Sequence, residues 1–182
     1  MESEAGAVGK SENRDERHCA ASVPFNWPER PFHIVLVEPE IPQNTGNIAR
    51  LCAATGSFLH LVGPLGFRVS DKAVKRAGLD YWDSVTLFRH KCFDDFIEEV
   101  KPVGLCLFSV RGYRSYFDAG YRPGTALVFG SESRGLPEDL RMRFKDNVYT
   151  IPMKEPSVRS LNLANCASLV LYEALRQTAN PA

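Results

Sequence analysis

The stretch FHIVLVEPEIPQNTGNIARLCAATG, residues 32–56, carries the pattern on which the fold turns. HIVLV at 33–37 lacks the apolar–polar alternation of a half-exposed strand and reads as a buried one. EPEIPQ at 38–43 reads as a loop, because its two prolines disfavour regular structure. Asn44 is placed to cap a helix over 45–55, and Gly56 to end it. Within that helix Ile48, Leu51, Cys52 and Thr55 recur at i, i+3, i+4 and i+7, forming one core-facing stripe. Outward from this unit the alternation continues, with strands expected over 58–62, 85–88, 103–110, 125–129 and 148–151. Helices are expected over 71–77, 93–100 and 160–177. Strands alternating with helices imply an α/β fold on a mostly parallel sheet with flanking helices.

At 182 residues, with 44 % hydrophobic and 24 % charged side chains, the chain has the makeup of one soluble globular domain. That domain is expected over 31–182. Residues 1–30 are small and polar until Phe25 and Trp27 and read as a disordered extension, with docking through those two rings the alternative. Lys+Arg and Asp+Glu both number 22, so nucleic-acid binding would need a local patch rather than bulk charge. Lys72, Lys75, Arg76, Arg111, Arg114, Arg141 and Arg143 are available to such a patch. No run reaches the roughly 20 apolar residues of a membrane span, and the acidic N-terminus fits no signal or transit peptide. Cys19, Cys52, Cys92, Cys106 and Cys166 show no CxxC, and His18, His33, His60 and His90 lie far apart in sequence. This usage points to free thiols in a reducing, cytoplasmic setting, and against a zinc site or a disulfide framework.

Three segments could carry chemistry. In NTGNIAR at 44–50, Asn47 and Arg50 are neighbours on a helix outside the apolar stripe. They read either as a cap with a solvated arginine, or as an arginine set beside a phosphate or a reacting hydroxyl. FGSESRGLP at 129–137 follows a buried strand, where α/β sheets bind ligands, and its glycines allow close backbone approach. It matches neither the dinucleotide fingerprint nor a phosphate-binding loop, and a plain strand-to-helix turn with Pro137 at the helix start stays open. In the third segment Ser160 is a plausible N-cap, leaving Asn162 and Asn165 in the first turns, where asparagine competes with the backbone. The following helix is apolar nearly all round, which fits a core helix and an interface helix equally. No GxSxG occurs, and Glu38 and Glu40 read as a solvated acidic pair.

Taken in order, these segments resemble the SPOUT superfamily of RNA methyltransferases. Within it they resemble the small tRNA (cytidine/uridine-2′-O)-methyltransferases that act on the anticodon wobble nucleotide. The likeness spans 32–177 and is carried by VEPEIPQNTGNIARLCAATG, KRAGLDYW, FGSESRGLP and SLNLANCASLVLYEALRQ. It implies a C-terminal deep trefoil knot and a homodimer whose active site uses both chains. It also implies S-adenosyl-L-methionine as cofactor, no metal, and the tRNA anticodon stem-loop as partner. By the same resemblance Asn44 and Arg50 match the first-motif asparagine and catalytic arginine, Glu132 the second-motif acid, and Ser160 and Asn162 the third-motif pair. Phe108, Gly130, Ile151 and Ser160 match positions lining the cofactor pocket, and Tyr172, with Arg50, positions that hold tRNA. The chain departs from the pattern by one extra residue around 154–158 and by its first 30 residues.

The implied reaction is methylation of a ribose 2′-hydroxyl, a weak nucleophile until its proton is drawn away. Arg50 would orient that oxygen and stabilise the developing alkoxide, since a guanidinium is a reluctant base. The alternatives are methylation of another RNA site or of a base by the same fold, and a non-catalytic RNA-binding module. A nucleotide-dependent oxidoreductase is a third, and it lacks the dinucleotide fingerprint.

Overall fold

A computed structural model of the protein describes residues 24–68 and 84–179. The helix expected over 71–77, the KRAGLDYW stretch, Lys72, Lys75 and Arg76, and the first 23 residues lie outside the described residues. Seven strands form one sheet: β1 (His33–Val37), β2 (Phe58–Val62), β3 (Leu87–His90), β4 (Gly104–Phe108), β5 (Arg114–Ser115), β6 (Thr125–Phe129) and β7 (Val148–Thr150). Their spatial order is β3-β2-β1-β6-β4-β7-β5, and every neighbouring pair is parallel. Among the described residues four α-helices accompany it: α1 (Pro42–Thr55), α2 (Phe93–Val100), α3 (Glu138–Arg143) and α4 (Leu163–Thr178).

Parallel strands covered on both faces need apolar residues at every position, which is why HIVLV and TALVF do not alternate. Ile34, Leu36, Leu59, Leu61, Leu127 and Phe129 point to one face, against Ile48, Ala49 and Cys52 of α1 and Ala167, Leu171 and Leu175 of α4. Val35, Val37, Val62, Ala126 and Val128 point to the other, against Phe93 and Phe96 of α2 and Leu140 of α3. Truncating one of these fully buried leucines to alanine costs roughly 2–5 kcal/mol.

Several local expectations are corrected. β3 starts two residues later than expected, and β5 is too short and polar to carry a strand pattern. The 38–43 stretch is not all loop, because Pro42 opens α1, where a missing N–H costs nothing. Asn44 is therefore not the cap of α1. Ile41 holds that position and offers no side-chain hydrogen bond. Ser160 is not the cap of α4 either; Asn162 is, its Oδ1 accepting from the N–H groups of Ala164 and Asn165. Gly56 does end α1, at φ 66°.

Three of the histidines that are scattered in sequence meet in the sheet. His33, His60 and His90 stand on adjacent parallel strands and project to the α2 face, joined in a line. His33 Nδ1 lies 3.0 Å from His60 Nε2, and His60 Nδ1 lies 3.0 Å from His90 Nε2. His90 Nδ1 ends the line 2.8 Å from Glu99 Oε2 on α2. A carboxylate only accepts, so the His90 ring donates to Glu99 through Nδ1. Burial lowers the pKa of His33, and burial with the neighbouring His33 and His90 lowers that of His60 to about 3. An unfolded-chain histidine titrates near 6.5, so the contribution of His60 is present above that pH and lost as pH falls toward 3. We predict that unfolding stability drops by about 2 kcal/mol from His60 alone between pH 6.5 and 5. Urea titrations across that range test this, and His60→Gln should flatten the slope.

Candidate active site

The carboxyl ends of β1, β4, β6 and β7 open onto a cleft of about 1170 Å³. Three segments distant in sequence close around it: the β1–α1 connection, the turn after β6, and the start of α4. Glu132, in the turn, holds them together. One carboxylate oxygen accepts the Glu40 N–H at 2.8 Å, and the other accepts the Ile41 N–H at 3.3 Å and the Asn44 Nδ2 at 2.9 Å. Asn44 Oδ1 accepts in turn from Asn162 Nδ2 at 3.0 Å. Helix α1 has no acidic residue in its own first turn, and Glu132 supplies that negative charge from a separate segment. The line Glu132–Asn44–Asn162 uses both amide groups of each asparagine, so it works as a tie between chain segments.

A second layer clasps the same turn. Ser131 and Gly135 exchange backbone hydrogen bonds at 3.2 and 2.9 Å, closing the turn on itself. Gly130 is required there, since a Cβ would lie 2.0 Å from the Gly135 carbonyl carbon. The close approach this glycine allows is thus to the turn itself. Glu38 and Glu40 are not a merely solvated pair. Arg134 Nη2 donates to Glu38 at 3.0 Å, and the Ser133 N–H and hydroxyl donate to Glu40 at 3.1 and 2.8 Å. Glu38 sits at φ 50°, a left-handed conformation costing a non-glycine residue roughly 1–2 kcal/mol, as the chain leaves β1.

Asn44, Glu132, Ser160, Asn162, Phe108, Gly130 and Ile151 all border this one cleft. Phe108 is stacked on Phe129 with ring centroids 5.1 Å apart. Arg50 and Tyr172 are not among the described residues that line it. Arg50 lies on the exposed face of α1, with Gln43 and Asn47. Tyr172, 55 % exposed, lies on the outward face of α4, which packs beside α1 over the same sheet face. The cleft also holds Arg111, Arg134, Arg141 and Arg159. Glu38 and Glu138 answer Arg134 and Arg141. Among the described residues no ion pair forms with Arg111 or Arg159. Sequence reasoning missed Glu38 and Glu40 as parts of this clasp; their place directly after a buried strand was the available signal. Among the described residues no group of three or more His, Cys, Asp or Glu side chains is arranged to hold a metal ion.

Residues 31–172 match the SpoU rRNA Methylase family. The chain belongs to that family. It is 50 % identical over 147 residues to the tRNA (cytidine(34)-2′-O)-methyltransferase of Saccharophagus degradans, covering 80 % of this chain and 95 % of that protein. It is 48 % identical over 149 residues to the protein of that name from Acidovorax sp., covering 80 % and 91 %. A solved structure concerned with 2-OH methylation of C/U34 on tRNA superposes with a TM-score of 0.77 at 50 % identity, covering 81 % of this chain and 96 % of the other. The SpoU methyltransferase AviRb from Streptomyces viridochromogenes, solved with AdoMet, superposes with a TM-score of 0.74 at 29 % identity, covering 81 % and 61 %. The α/β fold and the SpoU family agree with what the resemblance implied.

Because Glu132 accepts three hydrogen bonds, replacing one of its oxygens by an amide sets donor against donor. Glu132→Gln is expected to lose roughly 2–3 kcal/mol of unfolding stability. Urea denaturation checks this, and a loss below about 0.5 kcal/mol would remove the tie from the account.

Proposed function

We propose that this SpoU-family chain transfers a methyl group from S-adenosylmethionine to the ribose 2′-hydroxyl of the wobble cytidine or uridine of tRNA. What carries the reading is the convergence at one cleft of the three segments by which the chain resembles the wobble-nucleotide methyltransferases. The names borne by relatives at 48–50 % identity support it. The cleft suits the cofactor. Phe108 on Phe129, with Ile151, Met153 and Leu163, offers an apolar, aromatic wall for a flat base, and Ser109, Ser131 and Ser160 offer polar atoms beside it. When bound, S-adenosylmethionine supplies a sulfonium methyl that is already electrophilic.

The chain's own task is to prepare the hydroxyl. The Arg50 guanidinium orients the 2′-oxygen and stabilises the negative charge that grows on it as its proton passes to water, while the methyl's old bond to sulfur breaks and leaves a neutral thioether. Asn44, Glu132 and Asn162 act as positioning residues that hold the three segments in register. Ser160, Phe108, Gly130 and Ile151 hold the cofactor, and Tyr172 with Arg50 holds the RNA. Since Arg50 does not line its own cleft, a second copy of the chain completes the site, in a homodimer built on the outward face of α4. Leu169, 44 % exposed, and Tyr172 give that face an apolar stripe. The reading includes the trefoil knot: β7 inserts between β4 and β5, after which α4 returns to pack against α1, as a C-terminal segment threaded through a loop would. It also includes a methyltransferase domain over 31–182 and action in the cytoplasm. Among the described residues no helix is long and apolar enough to cross a membrane.

Two experiments test this. Unmodified tRNA incubated with the protein and S-adenosylmethionine should yield 2′-O-methylcytidine or 2′-O-methyluridine by nucleoside mass spectrometry. Arg50→Ala should lower the rate about 100- to 1000-fold and leave cofactor affinity within a few-fold. A methylated base, or an Arg50→Ala enzyme that still turns over, overturns the corresponding part. Leu169→Glu should convert the dimer to monomer in analytical ultracentrifugation and abolish methylation. A monomeric wild type that is fully active would refute the shared site.

A further inference from the structure

Beyond the cleft's rim, the loop from β4 to β5 carries a side chain that packs on none of the described residues. Tyr113 is 100 % exposed, the extreme among the large apolar and aromatic residues described. Its turn is nevertheless held firmly. The Gly112 N–H donates to the Ser109 carbonyl at 3.0 Å, the Arg111 N–H to the Ser109 hydroxyl at 3.2 Å, and the Ser109 N–H to the Tyr149 carbonyl at 2.9 Å. Gly112 is pressed so closely on β7 that a Cβ there would lie 2.5 Å from the Tyr149 carbonyl carbon. On the far side Arg114 is anchored, its Nη1 donating to the Asp146 carbonyl at 3.1 Å and its guanidinium lying 5.1 Å from the Tyr149 ring centroid. A ring wholly in water on a turn fixed at both ends forgoes burial that a small polar residue would not need.

The surroundings indicate what the ring meets. Val110 and Arg111, three and two residues before it, line the mouth of the cleft. Among the described residues no ion pair forms with Arg111. A cation beside an exposed, rigidly presented aromatic is the pairing that binds single-stranded nucleic acid, the ring taking a base face and the cation a phosphate. An aromatic ring with two side-chain torsions also loses little entropy on binding.

We propose that Tyr113 is a stacking platform for an unpaired base adjacent to the target nucleotide of the RNA substrate, with Arg111 answering the neighbouring phosphate. This rests on the RNA-methylation reading above and assigns to that substrate a subsite outside the methyl-transfer cleft. The full-length protein and an anticodon stem-loop RNA test it by direct binding over a range of salt concentrations. Tyr113→Ala should weaken RNA binding about 5- to 20-fold with the salt slope unchanged, and Tyr113→Phe should bind like wild type. Arg111→Ala should instead reduce the salt slope by about one. Replacing each base beside the target in turn by an abasic residue should weaken the wild type by the same factor at one position, and should weaken Tyr113→Ala no further there. Equal RNA affinity for Tyr113→Ala and wild type overturns the proposal, as does an abasic penalty identical in both proteins at both positions. Wild-type protein that methylates no tRNA overturns the functional reading itself, a result distinct from either of these.

Discussion

A single carboxylate sits where the whole site would otherwise come apart. Glu132 lies at the amino end of α1 and takes the N–H groups of Glu40 and Ile41, which the helix cannot satisfy by itself. Through Asn44 it also reaches Asn162, the residue that caps α4. Two helices that frame the cleft therefore begin at one hydrogen-bonded junction, although their starts are more than a hundred residues apart in sequence. Local capping and site assembly are the same set of bonds, so stability and geometry at the cleft are coupled. Glu38 and Glu40 extend this from the other side by holding Ser133 and Arg134 of the turn.

The parallel sheet makes that junction available. Because every strand runs the same way, the carboxyl ends of β1, β4, β6 and β7 arrive at one edge with their connecting loops. In open α/β sheets that edge is where ligands bind. The same parallel register aligns His33, His60 and His90 across three strands and leaves a polar line inside an otherwise apolar layer. Each link of that line needs its neighbour, since an unpaired buried imidazole nitrogen costs what a lost hydrogen bond costs. The line thereby penalises any slip of β2 or β3 and makes the sheet's stability sensitive to acid.

Of the residues that tie the segments, Asn44 is buried, Glu132 half-buried and Asn162 exposed, and all three have their polar groups engaged. Arg50, Tyr172 and Tyr113 are exposed and face outward. The proposed contacts to RNA and to a second chain fall on these outward residues, while the apolar wall of the cleft suits a small cofactor. On that proposal an electrically neutral protein addresses a polyanion without a basic surface overall.

The sequence by itself determined the α/β class, the position of β1, β2, β6 and α2, the stop at Gly56 and the three segments that border the cleft. Those features rest on short-range physics: apolar runs, helical periodicity, and the conformational freedom of glycine. Tertiary structure decided the strand order, the true caps of α1 and α4, and the work of Glu38 and Glu40. It also decided the histidine line and the separation of Arg50 and Tyr172 from their own cleft. Asn44 looked like a cap because an asparagine before an amphipathic stretch usually bonds the backbone three residues on. Here Glu132 and Asn162 offer it partners from across the fold, and Pro42 lets the helix begin earlier. A local pattern ranks the bonds a side chain could make to its own segment. Only the packed chain adds the distant partners that win, because burial leaves no water to take their place.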